Sequence, residues 1–94
     1  RPTAVCVNCV SCRDVPAALD ALLAGETWCI GVYANTGERS ADGSWSVTNA
    51  SEPAVYAGLA QRWLNRGVKL IGGCCGTTPA HVDALQTLIG QRVL

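Results

Sequence analysis

Val68-Lys-Leu-Ile-Gly-Gly-Cys-Cys-Gly-Thr-Thr-Pro79 carries the reading of the whole chain. Its first four residues are a short apolar run of strand type. Two glycines, two adjacent cysteines and a third glycine then crowd into five positions. Thr78 is a natural N-cap, and Pro79 suits the first helical position. The segment reads as strand, tight turn, helix. Val82, Leu85, Leu88 and Ile89 follow at the spacing of one helix face and are expected to point inward.

The same unit occurs twice upstream. Pro53 opens a helix whose apolar stripe is Tyr56, Leu59, Ala60, Trp63 and Leu64, and Gly67 ends it. Before it, Thr27 to Tyr33 is apolar nearly throughout, as in a strand buried on both faces of a parallel sheet. Ala34 to Ser51, polar and rich in Gly, Ser and Asn, reads as one long loop. Thr3 to Asn8 is the first strand. Asp14 is its following helix's candidate N-cap, with Pro16 in the first turn. Val15, Ala18, Leu19, Leu22 and Leu23 form the stripe, and Gly25 closes it.

Strands near 3–8, 27–33 and 68–71 thus alternate with three helices in an α/β pattern. Strands joined through helices are expected to be parallel. Two architectures suit this: an open doubly wound sheet, or an arc of a (β/α)8 barrel. At about 30 residues per unit, eight units make the ~250 residues of a typical barrel.

Composition narrows the function classes. Seven basic residues balance seven acidic ones, which removes the electrostatic footprint of a nucleic-acid or anionic-membrane binder. No apolar run approaches the ~20 residues of a membrane span. There is no methionine, and Arg1 comes first, so the chain reads as a piece of a longer protein. Apolar residues make up 49% and charged ones 15%, which fits a piece whose faces meet neighbours elsewhere.

Six cysteines remain: Cys6, Cys9, Cys12, Cys29, Cys74 and Cys75. The regular periodicity around them argues for reduced or metal-bound thiols in a cytoplasmic protein, against a disulfide scaffold. Cys9, Cys74 and Cys75 fall at the C-terminal ends of strands, where both architectures place active sites. Three thiolates from two loops make three corners of a tetrahedral zinc site and leave the fourth open. Gly72, Gly73 and Gly76 give the adjacent pair the backbone freedom it needs. A CxxC pair, Cys9 and Cys12, leaves two alternatives: a redox pair, or a closed structural site of Cys9, Cys12, Cys74 and Cys75. Cys6 and Cys29 read as core. His81 is expected to be solvated or to cap its helix. Glu38, Arg39 and Asp42 read as solvated loop residues, with Asn35 and Gly37 better placed after the second strand.

Val7-Asn8-Cys9, Tyr33-Ala34-Asn35-Thr36-Gly37-Glu38 and Ile71-Gly-Gly-Cys-Cys-Gly-Thr-Thr-Pro79, in that order and spacing, resemble the homocysteine S-methyltransferase family. The resemblance covers essentially the whole chain. It implies that residues 1–94 are the C-terminal part of a single homocysteine-binding domain, the last three βα units of a (β/α)8 TIM barrel whose N-terminal units lie outside this sequence. It implies a Zn2+ cofactor on Cys9, Cys74 and Cys75, homocysteine sulfur in the fourth position, and methionine as product. The methyl donor it points to is S-methylmethionine or S-adenosylmethionine. Asn8 and Asn35 become candidate substrate-binding residues. Two departures stand out: Cys6 where the family has Gly, and Tyr-Ala-Asn where it has Tyr-Pro-Asn.

Overall fold

A computed structural model describes residues 3–25 and 29–93. The order is β1 (Val5–Ser11), a 3-10 turn (Cys12–Asp14), α1 (Val15–Leu23), β2 (Ile30–Asn35), β3 (Gly37–Arg39), β4 (Trp45–Val47), a second 3-10 turn (Asn49–Ser51), α2 (Pro53–Asn65), β5 (Leu70–Gly73) and α3 (Pro79–Val93). β1, β2 and β5 form one parallel sheet in that order, so three βα units fold as the alternation predicts.

All three strands extend further toward their C-terminal ends than periodicity suggests. β2 begins at Ile30 and runs through Asn35, instead of spanning 27–33. Thr27 and Trp28 lie outside the described residues. β1 continues past Asn8 to Ser11, with a register shift on the way. β5 takes in Gly72 and Gly73, which pair with Tyr33 and Ala34. The glycines belong there because the Tyr33 ring occupies the space a Cβ on Gly72 would need. That contact spans some forty residues of sequence, so no local pattern announces it.

One core holds the layers together. Val7, Ile30, Val32 and Ala34 from the sheet are buried with Val15 and Leu19 of α1, Tyr56, Ala60 and Trp63 of α2, and Leu85 and Leu88 of α3. Alternate strand residues therefore face the helices, and all three helices lie on that one side. Among the described residues no helix covers the other face, where Cys6 and Asn8 are exposed and Leu70 is 39% exposed. On that face β2 keeps Gly31 buried and Tyr33 half-buried, as a strand covered on both sides would, but Cys6 is not core. Cys29 is also exposed, immediately before β2.

The helix ends follow local chemistry. Gly67 has φ 105° and closes α2 in a Schellman motif, with its N–H on Leu64 O and the Val68 N–H on Trp63 O. Gly25 adopts no such conformation. The Asp14 carboxylate does not cap α1; it accepts from Ser11 Oγ at 2.9 Å. On α3 the inward line is His81, Leu85 and Leu88, while Val82 and Ile89 are 50% and 42% exposed. His81 is 2% exposed and not solvated, because both ring nitrogens find partners.

The segment 34–51 is not a plain loop. Gly37–Arg39 and Trp45–Val47 pair as an antiparallel hairpin, turned by Ser40–Gly43 with Gly43 at φ 87°. Asp42 accepts from the Ser44 N–H at 2.9 Å, and this bond lowers its carboxyl pKa. Arg39 lies over the Trp45 ring, and Glu38 pairs with Arg13 at 3.2 Å.

Tyr56 ties the layers together beneath the site. Its hydroxyl accepts from the Ala34 N–H at 3.2 Å and reaches Gly72 O at 2.6 Å and Ala34 O at 3.1 Å. Burial pushes its pKa up, so the phenol keeps its proton as a donor. Tyr56→Phe removes the hydroxyl that meets the Ala34 N–H and Gly72 O, while Ala34 O keeps the Cys74 N–H. The expected loss is about 1–3 kcal/mol of folding stability, read by denaturant unfolding of the intact protein.

Candidate metal centre

Cys9, Cys74 and Cys75 converge at the C-terminal end of the sheet, with their three sulfur atoms all within 4.8 Å of one another. Strand alternation alone would send Cys9 to the helix side with Val5 and Val7. Its backbone instead takes φ 57°, a left-handed conformation costing about 1–2 kcal/mol outside glycine. This turn lies within the register shift between Asn8 and Ser11 and breaks the alternation. Gly76 also has φ 85°, and a Cβ there would strike the Thr36 side chain. Only glycine lets the two loops approach this closely.

Cys9 and Cys74 are bonded as a disulfide in the structure, with Cα atoms 5.5 Å apart, where sequence reasoning expects thiols. That Cα separation serves a disulfide. It also serves two ligands of one ion, since sulfurs at about 2.3 Å from zinc stand roughly 3.8 Å apart. The third sulfur, Cys75, takes no part in the disulfide and lies beside it. With that bond reduced, the three would offer soft thiolate donors with no oxygen or nitrogen among them, a set that fits zinc.

Cys12 stands apart from this group. Its thiol donates to Asn35 O at 3.3 Å, and the closed four-cysteine site with Cys9, Cys74 and Cys75 does not form. Burial raises the Cys12 pKa from 9.0 to about 11. The native state therefore holds a proton that the unfolded thiol releases above pH 9. Stability should fall as pH rises from about 9 to 11, and Cys12→Ala should flatten that slope in pH-dependent unfolding.

The asparagines differ. Asn8 is exposed on the sheet face away from the helices, one residue before Cys9. Asn35 Oδ1 accepts from the Cys75 N–H at 2.9 Å. Gly37 opens the hairpin, where a Cβ would meet the Trp45 ring. A cleft of about 260 Å3 reaches Cys9 from the hairpin side, past Asn35 and Glu38. A second cleft, about 330 Å3, lies beside Cys12 and touches none of the three clustered cysteines.

Sequence reasoning missed the supporting residues. Thr77 Oγ1 donates to Cys74 O at 2.7 Å, and the Thr36 N–H donates to Cys75 O at 3.0 Å. His81 Nδ1 accepts from the Thr78 N–H at 3.2 Å and sits 2.9 Å from Thr78 Oγ1, while Nε2 is 3.1 Å from Ala50 O. The tautomer with its hydrogen on Nε2 satisfies both ends. His81 thereby caps α3 from its third position, the reach-back half of a capping box, and turns away from the sulfurs.

The sequence model of a family described as homocysteine S-methyltransferase matches residues 1–89. The chain belongs to the homocysteine S-methyltransferase family. It is 34% identical over 82 residues to homocysteine S-methyltransferase of Escherichia coli, covering 85% of this chain and 26% of that protein. It is 29% identical over 79 residues to homocysteine S-methyltransferase YbgG of Bacillus subtilis, covering 84% of this chain and 25% of that protein. It is 30% identical over 97 residues to selenocysteine Se-methyltransferase of Brassica oleracea, covering all of this chain and 28% of that protein. The chain thus spans about a quarter of the length of these family members. Among the described residues, no helix is long and apolar enough to cross a membrane.

Proposed function

We propose that these residues are the zinc-binding part of a cytoplasmic enzyme that transfers a methyl group to the thiol of homocysteine, giving methionine. S-methylmethionine or S-adenosylmethionine is the donor in this reading. Three cysteine sulfurs gathered within 4.8 Å, in a chain of this family, carry it. The three βα units are read as the last three of a (β/α)8 barrel. Sequential strand order and, among the described residues, helices on one side of the sheet only support that assignment.

Cys9, Cys74 and Cys75 would hold the ion as thiolates. When bound, zinc would acidify the homocysteine thiol, whose free pKa near 8–9 leaves little thiolate at neutral pH, and keep its sulfur nucleophilic. The left-handed turn at Cys9 presents its sulfur on the open side of the strand end. Gly76 lets the adjacent pair approach from the other strand. The cleft beside Cys9, bordered by Asn35, would admit homocysteine, with the exposed Asn8 next to Cys9 in the chain as the other candidate contact.

The test is methionine formation by the intact protein that contains these residues. Homocysteine is supplied with each sulfonium donor in turn. Methionine is expected with at least one of them. No methionine with either contradicts the donor assignment, and failure to bind homocysteine contradicts the reaction.

A further inference from the structure

The adjacent cysteines distort the edge between β2 and β5 in a defined way. In a regular parallel ladder, the Cys74 N–H bonds Ala34 O and the Thr36 N–H then bonds Cys74 O. The first bond is present, at 3.0 Å. The second is displaced by one residue: the Thr36 N–H bonds Cys75 O, also at 3.0 Å. Cys74 and Cys75 therefore share one ladder step, as in a β-bulge. The Cys74 carbonyl, left out of the ladder, accepts instead from the Thr77 N–H at 3.2 Å and Thr77 Oγ1 at 2.7 Å.

The bulge also leaves the Cys75 N–H with no backbone acceptor in the ladder. Asn35 Oδ1 supplies one at 2.9 Å, from a residue 40 positions away. The Asn35 main-chain carbonyl meanwhile accepts from Cys12, which fixes the residue from its other side. Both polar groups of the Cys75 backbone are thus held by two consecutive residues, Asn35 and Thr36.

We propose that Asn35 is a positioning residue of the three-cysteine centre: its side-chain carbonyl replaces the missing ladder acceptor and holds Cys75 in the bulge that brings its sulfur beside those of Cys9 and Cys74. This rests on the metal-binding reading above, and goes beyond it by assigning Asn35 a role on the third ligand. A bulged residue with an unmet N–H can otherwise turn outward to water and carry its sulfur away. Asparagine suits the position because its carbonyl accepts without adding charge next to thiolates.

The experiment is a double-mutant cycle on zinc affinity in the intact protein, measured by chelator competition. Thiolate-to-metal absorption of the cobalt-substituted protein serves as a second readout. Asn35→Ala should weaken zinc binding about 10–100-fold, as loss of a ligand-supporting hydrogen bond does. It should also reduce the thiolate-to-cobalt intensity toward that of Cys75→Ser. Asn35→Asp, which keeps an acceptor oxygen, should recover most of the affinity. In a Cys75→Ser background, Asn35→Ala should cost nothing further. An equal penalty in both backgrounds, or none in the first, overturns the proposal. If Cys75→Ser itself leaves zinc affinity unchanged, the metal reading fails and the proposal with it. Should Asn35→Ala not fold, amide exchange of Cys75 in the unaltered protein decides. Protection supports the bond, and exchange at the rate of an open peptide overturns it.

Discussion

Cys9→Ser, Cys74→Ser and Cys75→Ser, each made in the intact protein, should lose stoichiometric zinc on isolation, keeping only weak binding of added metal, and reduce methyl transfer to homocysteine to background. Two sulfurs cannot hold the ion as three do, and a neutral serine hydroxyl is a poor replacement for a thiolate on zinc. Cys12→Ser and Cys29→Ser should keep full zinc. Cys12 is engaged with Asn35 O, and Cys29 precedes β2, at the opposite end of that strand from the cluster. Metal analysis per chain checks this. Full zinc occupancy in Cys74→Ser would remove the assignment, and zinc lost from Cys12→Ser would restore the closed four-cysteine alternative.

Homocysteine binding should depend steeply on pH. A thiol enters and a thiolate is held, so binding releases one proton. Below the free thiol pKa near 8–9, affinity should rise up to about tenfold per pH unit and then level off. Homoserine, with a hydroxyl in place of the thiol, should bind at least ~100-fold more weakly, because a neutral oxygen suits a sulfur-ringed zinc poorly. Calorimetry in buffers of different ionisation enthalpy counts the proton directly. PH-independent affinity, or homoserine binding as tightly as homocysteine, would contradict direct engagement of the sulfur.

Features set by neighbouring residues were legible in the sequence. Gly67 after an apolar stripe marks the end of α2, and the structure closes that helix there through a left-handed glycine. Thr78-Pro79 marks the start of α3. Cys9, Cys74 and Cys75 were placed at strand ends by counting alone, and the fold brings their sulfurs together. What stayed hidden depends on partners far along the chain. Gly72 and Gly73 look like a turn until β2 pairs with them and Tyr33 covers Gly72. The hairpin strands, Gly37–Arg39 and Trp45–Val47, are three residues each, too short for alternation to register. His81 looks polar and outward until the Ala50 carbonyl and Thr78 meet its two nitrogens. Cys9 carries no local sign of its left-handed turn, since nothing beside it is glycine.

X-ray absorption at the zinc edge of the intact, reduced protein tests the central claim most directly. Without substrate, the ion should show three sulfur neighbours from Cys9, Cys74 and Cys75 and one lighter atom. Adding homocysteine should raise the sulfur count to four. Four sulfurs before substrate, or three that persist after homocysteine has bound, would contradict a three-cysteine zinc centre that takes up the substrate's thiol.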